Sequence, residues 1–193
     1  MKKRTIAVDC DDVIVETAPL IIEHYNQAYG TELELKDTYS HDLARWDAPD
    51  IATAVRRIET YLGTEEYQNI APFIEAIEVI QDLSRRHTLH VVTGRTDFLA
   101  AATTDMLARY FPGVFQSVEF TNFFGENSRP KATVCQELGV DVLIDDHLHH
   151  ATTVAECGVE VLLFGDYPWN QSNALPANVR RVRNWREVAS LLS

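Results

Sequence analysis

Cysteine is scarce: Cys10, Cys135 and Cys157 make an odd count with no CxxC pair, which excludes a disulfide framework and a zinc knuckle. Long apolar runs are missing as well. No stretch approaches the roughly 20 apolar residues that span a bilayer. The opening MKKR looks like a signal n-region, but Asp9, Asp11 and Asp12 interrupt the run Ile6-Ala7-Val8 at once. Positive charge is also in short supply, with 17 Lys and Arg against 29 Asp and Glu, a formal net charge of -12. That balance suits neither duplex nucleic acid nor an anionic membrane surface. With 8 Gly and 7 Pro, and no repeat or low-complexity tract, nothing suggests a fibrous or disordered chain. These absences predict a soluble cytoplasmic protein with neither duplex nucleic acid nor a membrane as its partner, with homo-oligomerisation left open.

What is present is ordinary core-forming material, 46% apolar in 193 residues. Short β-branched runs at Thr5 to Val8, Leu89 to Val92, Ser117 to Phe120, Val142 to Ile144 and Val159 to Phe164 alternate with helix-like sequence. Such alternation predicts an α/β fold, a Rossmann-like doubly wound parallel sheet of about five strands covered on both faces. Helices are expected to stop at Gly30, Gly63, Gly139 and Gly158. Pro130 suits a first helical turn, and Thr96 or Asp97 suits the cap of a helix reaching Tyr110. Segments near 17–29, 51–62, 64–69 and 73–86 read as helices. The last serves as the crossover; the others form a small helical cap inserted after the first strand. The expected division is therefore a core of residues 1–16 and 87–193 and a cap of residues 17–86. Loops at the carboxyl ends of strands surround the ligand crevice, so an insertion there acts as a lid.

Polar residues stop these strands: Asp9 and Asp11 after the first, Thr93 after the second, Asp145 and Asp146 after the fourth. Lys131 opens the helix that precedes the fourth strand and reaches the same edge. Taken singly, an Asp-rich turn is often a helix cap and a lone Thr or Lys is usually structural or solvated. Four carboxylates converging on one spot repel one another unless they share a divalent cation. Hard oxygen ligands favour Mg²⁺.

DCDDV (Asp9 to Val13), VVTGR with Thr93, RPK with Lys131 and LIDDH with Asp145 and Asp146 resemble, in order, the four motifs of the haloacid dehalogenase superfamily. Within it, DCDDV, LIDDHLHH and Tyr167-Pro168-Trp169-Asn170 resemble the 5'-nucleotidase C group, which includes the 5'(3')-deoxyribonucleotidases. The resemblance implies that Asp9 attacks phosphorus to give an aspartyl phosphate. Asp11 then protonates the leaving alcohol and later activates water. It also implies a metal site of Asp9, the Asp11 carbonyl and Asp145, with Asp146 beside it to orient Lys131 or a water. Thr93, Gly94 and Lys131 would receive the phosphoryl oxygens, and Arg95 offers a bidentate contact to the same group or is simply solvated. A halide leaves without a proton, so the acid at Asp11 favours phosphate ester hydrolysis over dehalogenation.

The chain departs from the usual first motif, with Asp12 where Gly is common and Val13 where Thr is frequent. Gly94 stands where the deoxyribonucleotidases commonly carry Ser, and a GENSRP stretch precedes Lys131. The expected function is a Mg²⁺-dependent phosphomonoesterase for a small phosphorylated metabolite, most plausibly a nucleoside 5'-monophosphate. Trp46, Tyr39, Tyr61 and Tyr67 offer rings for the base, and Trp46 is included in the expected substrate site. The alternatives are a non-nucleotide substrate such as a sugar phosphate, a phosphoacceptor module, or a nucleotide sensor. A receiver places its acceptor Asp between the acidic pair and the Thr; here Thr93 and Lys131 precede the second acidic pair. His147, His149 and His150 suggest a softer metal site or a polar helix start, Trp169 a base pocket or a core edge. Arg180, Arg181, Arg183 and Arg186 read as a solvated face.

Overall fold

In a computed structural model, which describes residues 2–39, 44–123 and 127–192, the aliphatic runs become strands. They are β1 (Thr5–Val8), β2 (Thr88–Thr93), β3 (Phe115–Phe120), β4 (Val142–Asp145), β5 (Glu160–Phe164) and β6 (Val179–Val182). All pair in parallel in the order β3-β2-β1-β4-β5-β6. β1, β4 and β5 are almost continuously apolar and buried because helices cover both faces of the sheet. Helices α4 (Ile74–Ser84), α5 (Ala100–Tyr110) and α8 (Trp185–Leu192) lie on one face, where Ile80, Leu83, Leu107 and Val188 join the larger core. Helices α6 (Lys131–Glu137) and α7 (Leu148–Glu156) cover the other, through Val134, Cys135 and Val154.

The sheet has six strands where about five are expected. β6 escapes a hydropathy reading because its two buried valines, Val179 and Val182, enclose a pair of arginines. Arg180 is exposed as expected. Arg181 is not merely solvated, since it donates to Asn170 Oδ1 and to the Asn170 carbonyl, each at 2.7 Å.

Between β1 and α4 stand α1 (Ala18–Tyr29), α2 (Ile51–Leu62) and α3 (Glu65–Gln68). Asp50 caps α2 by accepting from Thr53 N at 2.6 Å. Ile22, Tyr25, Leu33 and Trp46 form a small apolar cluster of this segment's own. Gly63 ends α2 as expected, yet with φ -82 it needs no glycine backbone. Its missing side chain instead makes room for Phe98, whose Cζ lies 2.9 Å from where a Cβ would be. Neither Thr96 nor Asp97 caps α5 with its side chain: a short turn over Asp97–Leu99 comes first and puts Leu99 at the cap position. Of the GENSRP stretch, residues 125 and 126 lie outside the described residues.

Gly165, directly after β5, has φ +78, and a Cβ there would stand 2.2 Å from the Tyr167 ring. Gly165→Ala is therefore expected to lose about 2 to 4 kcal/mol. A thermal unfolding midpoint lowered by about 5 to 15 °C checks this; an unchanged midpoint contradicts it.

Candidate active site

The chain turns back at β1: β2 and β3 lie to one side, β4, β5 and β6 to the other. In such sheets the crevice opens at the carboxyl ends of the two strands where the order reverses. Val8 is paired with Ile144, so the residues that follow, Asp9 and Asp145, emerge side by side; the Asp9 N–H bonds the Ile144 carbonyl at 2.9 Å. Oxygen atoms of Asp9, Asp145 and Asp146 lie within 4.8 Å of one another, and all three residues are buried. Lys131, the first residue of α6, places its buried ammonium 2.7 Å from Asp9 Oδ2 and 2.7 Å from Asp145 Oδ2. The His147 N–H donates to Asp145 Oδ1 at 2.9 Å, and Trp169 Nε1 donates to Asp146 Oδ2 at 2.6 Å.

Burial is the largest influence on each carboxylate here. It pushes Asp9 up to about 7, helped by the charges of Asp145 and Asp11 and opposed by Lys131. Asp146 is pushed well above the usual range by burial and by Asp145, Asp9 and Asp12. At Asp145 burial acts in the same direction, but Lys131, His150 and the His147 N–H outweigh it and hold the group below its ordinary value. One ammonium does not neutralise three carboxylates in a low-dielectric crevice. Three buried, hard oxygen donors converging on one point fit a divalent cation such as Mg²⁺.

Asp11 enters the expected metal set through its backbone carbonyl; its carboxylate is not one of this trio. Arg95 grips it from Nε, 3.1 Å to Oδ1 and 3.0 Å to Oδ2, and from Nη2, 2.7 Å to Oδ1. Thr17 Oγ1 and the Tyr67 hydroxyl donate to the same Oδ1, at 2.6 and 3.2 Å. Burial raises the Asp11 pKa, but Arg95 and these hydroxyls outweigh it and leave the group ionised, below the usual carboxylate range. Arg95 is thereby corrected as a phosphate contact: its guanidinium is spent on Asp11, on Tyr67 and, through Nη1, on Thr103 Oγ1 at 2.9 Å.

Thr93 ends β2 fully buried, and its Oγ1 accepts from the Arg95 N–H at 3.2 Å. Gly94 follows, with Phe123 Cβ 3.5 Å from where its own Cβ would be. Asp12 adopts φ 55, a left-handed conformation that suits the Gly commonly found there. Asp replaces it with a use for the side chain: Oδ1 accepts from the N–H groups of Thr17 and Ala18 at 3.0 and 3.1 Å, satisfying the free donors at the start of α1. Burial pushes this carboxyl up to about 7.

A family model described as 5' nucleotidase, deoxy (pyrimidine), cytosolic type C protein matches residues 3–193. The chain belongs to this family. A search of the curated proteins gives no match. Among solved structures, the chain is similar to a haloacid dehalogenase-like hydrolase from Streptococcus pneumoniae, with 16% identity, 99% of each chain covered and a TM-score of 0.71. It is similar to the HAD-hydrolase YfnB from Bacillus subtilis bound to magnesium, with 15% identity, 100% and 99% of the chains covered and a TM-score of 0.67. It is also similar to L-2-haloacid dehalogenase from Xanthobacter autotrophicus, with 10% identity, 99% and 98% covered and a TM-score of 0.65. These likenesses establish the haloacid dehalogenase-like fold, which serves more than one chemistry. The match of the type C family over the whole core makes the protein a phosphatase, a phosphoric monoester hydrolase.

The four rings expected to offer a surface for the base do not share one role. Trp46 is corrected as a substrate residue: only 5% exposed, it sits edge-on to Tyr25 at 4.9 Å in the cluster around α1, because a ring that size is what fills so small a core. Tyr61 is buried and stacks on His24 at 4.1 Å. Tyr39 is 44% exposed and touches His147 and Trp169 edge-on at 4.7 and 5.4 Å, directly beside the partner of Asp146. Trp169 stacks on Tyr167 at 4.6 Å while its indole N–H holds Asp146, so it packs and orients an acid at once. His147 Nδ1 accepts from the His149 N–H at the start of α7, and burial pushes His150 down to about 3. Among the described residues, the His, Cys, Asp and Glu side chains whose ligand atoms converge are the three aspartates, without a histidine. Thr17 and Thr103 are site residues that sequence reasoning misses, since a lone Thr six or eight residues from its partner carries no motif; Tyr67, expected as a ring for the base, instead gives its hydroxyl to Asp11 and Arg95.

Proposed function

We propose that this phosphatase is a Mg²⁺-dependent 5'-nucleotidase acting on nucleoside or deoxynucleoside monophosphates through an aspartyl phosphate. The observation that carries the reading is the buried Asp9, held by Lys131 next to Asp145 and followed two residues later by a second carboxylate, Asp11. Asp9, Asp145 and Asp146, with the Asp11 carbonyl, would hold the ion, which when bound offsets charge on the phosphoryl oxygens. Asp9 Oδ forms a bond to phosphorus as the ester P–O bond breaks, and Asp11 gives the departing oxygen its proton. An anionic phosphoryl group beside Asp11 raises the cost of a second negative charge there, which favours the protonated acid once substrate is seated. In the second displacement Asp11 takes a proton from water, whose oxygen bonds phosphorus and frees Asp9. Lys131, Thr93 and Gly94 serve the phosphoryl oxygens.

The helical segment of residues 17–86 serves as the cap and α4 as its crossover back into the core. Because no helix among the described residues is long and apolar enough to cross a membrane, and the three cysteines are free, the reading is of a cytoplasmic enzyme. Its partner is a small phosphorylated molecule.

Turnover of nucleoside monophosphates, a sugar phosphate and 4-nitrophenyl phosphate, with and without Mg²⁺, tests the reading. A nucleoside monophosphate is expected to lead in kcat/KM; a leading sugar phosphate replaces the nucleotide reading with a phosphatase for a non-nucleotide metabolite. Tyr39 is an exposed ring in contact with Trp169, the partner of Asp146, and is the candidate for the base. Tyr39→Ala is expected to raise KM for that nucleotide about ten- to a hundredfold, with little change for 4-nitrophenyl phosphate. Equal effects on both substrates remove Tyr39 from base recognition.

A further inference from the structure

The donors around Asp11 are unevenly shared. Oδ1 takes Thr17 Oγ1, the Tyr67 hydroxyl and both Arg95 nitrogens, whereas Oδ2 takes Arg95 Nε alone among the described residues. Tyr67 is the hub of this arrangement. Its hydroxyl accepts from Arg95 Nη2 at 3.0 Å, lies 3.1 Å from Thr17 Oγ1 and donates to Asp11. The ring is 4% exposed and belongs to α3, in the segment between β1 and α4, 56 residues from Asp11. The chain just ahead of α3 is itself seated on the core, where Phe98 packs against Gly63.

We infer that Tyr67 is a positioning residue for Asp11: with Thr17 and Arg95 it anchors Oδ1 and so presents Oδ2 as the oxygen that carries the transferred proton. This rests on the proposed role of Asp11 as proton donor to the leaving alcohol. A carboxyl group free to rotate about χ1 and χ2 offers either oxygen in many directions, whereas proton transfer needs one oxygen within hydrogen-bond reach of the departing atom. Four contacts on Oδ1 remove that freedom. Tyr67 does so from the proposed cap, so seating of that segment on the core and alignment of the acid are one event.

The test compares kcat/KM, which reports the steps up to departure of the alcohol, for an alkyl ester such as glycerol 3-phosphate and for 4-nitrophenyl phosphate, whose phenolate leaves without a proton. In the Mg²⁺-loaded full chain, Tyr67→Phe is expected to lower the alkyl value about tenfold and the aryl value less than about twofold, a part of the 100-fold or larger effect of a general acid. Thr17→Val gives an independent measure. Thr17 makes no side-chain capping bond to α1, so the substitution removes the Asp11 contact without removing a cap, and it is expected to shift the ratio in the same direction. A structural role for the hydroxyl lowers both substrates alike with the thermal midpoint, and equal losses, or none, overturn the inference. Asp11→Asn separates the two layers. If it too fails to discriminate between the esters, the general-acid reading falls and the inference with it. If it discriminates and Tyr67→Phe does not, positioning alone is overturned.

Discussion

Asp9→Asn is expected to lower phosphate release by at least about a thousandfold on every ester while leaving the fold intact. The amide keeps the shape of the side chain but loses the oxygen nucleophile and one donor of the carboxylate trio. Retention of even a tenth of the parent rate removes Asp9 as the nucleophile. Its electrostatics add a second readout. Burial holds the Asp9 pKa at about 7 against an ordinary 3.8, so the folded state keeps a proton that the unfolded chain has lost. Stability from this group is therefore full below pH 4 and is lost as pH rises from about 4 to 7. In chelator, the thermal midpoint of Asp9→Asn should rise relative to the parent across that window, whereas a difference that does not vary with pH contradicts the raised value.

Chelation of divalent ions is expected to reduce turnover at least about a hundredfold, with recovery on adding Mg²⁺. Lys131 already contacts both Asp9 and Asp145, at 2.7 Å each, yet Asp146 in the same cluster is pushed far upward by burial and by its neighbours. A bound cation relieves that repulsion, so Mg²⁺ should also raise the midpoint of the folded protein in a concentration-dependent way. Full activity in excess chelator, or a midpoint indifferent to Mg²⁺, contradicts a cation shared by these acids.

Much of the site was legible because its groups occupy fixed places in a repeating pattern. A parallel strand delivers whatever follows it to one edge of the sheet, so Asp9, Thr93, Asp145 and Asp146 could be assigned to a single crevice from their positions after apolar runs. Lys131 followed from its place at a helix start. Arg95 and Trp46 are less legible in the sequence. Arg95 stands in the right loop, but its partner was decided by Asp11, Tyr67 and Thr103, separated from it by 84, 28 and 8 residues. Trp46 lies in the right segment, and whether a ring there faces a ligand or fills a core depends on what Ile22, Tyr25 and Leu33 leave uncovered. β6 was hidden for a related reason: its arginines mask the period of two in a strand only four residues long.

The sequence by itself determined the class of fold, the shared edge of its acids and the hard-oxygen character of the candidate metal site, because hydropathy period and strand-end position are local properties of the chain. Only the tertiary structure decided that Asp11 is clamped by Arg95, Thr17 and Tyr67, that Asp12 caps α1, and that Tyr39 rather than Trp46 faces the acids. Arg95 and Tyr67 reach Asp11 from 84 and 56 residues away, and the Asp12 cap, only five residues from Thr17, depends on a left-handed turn; the alternation of strands and helices encodes neither.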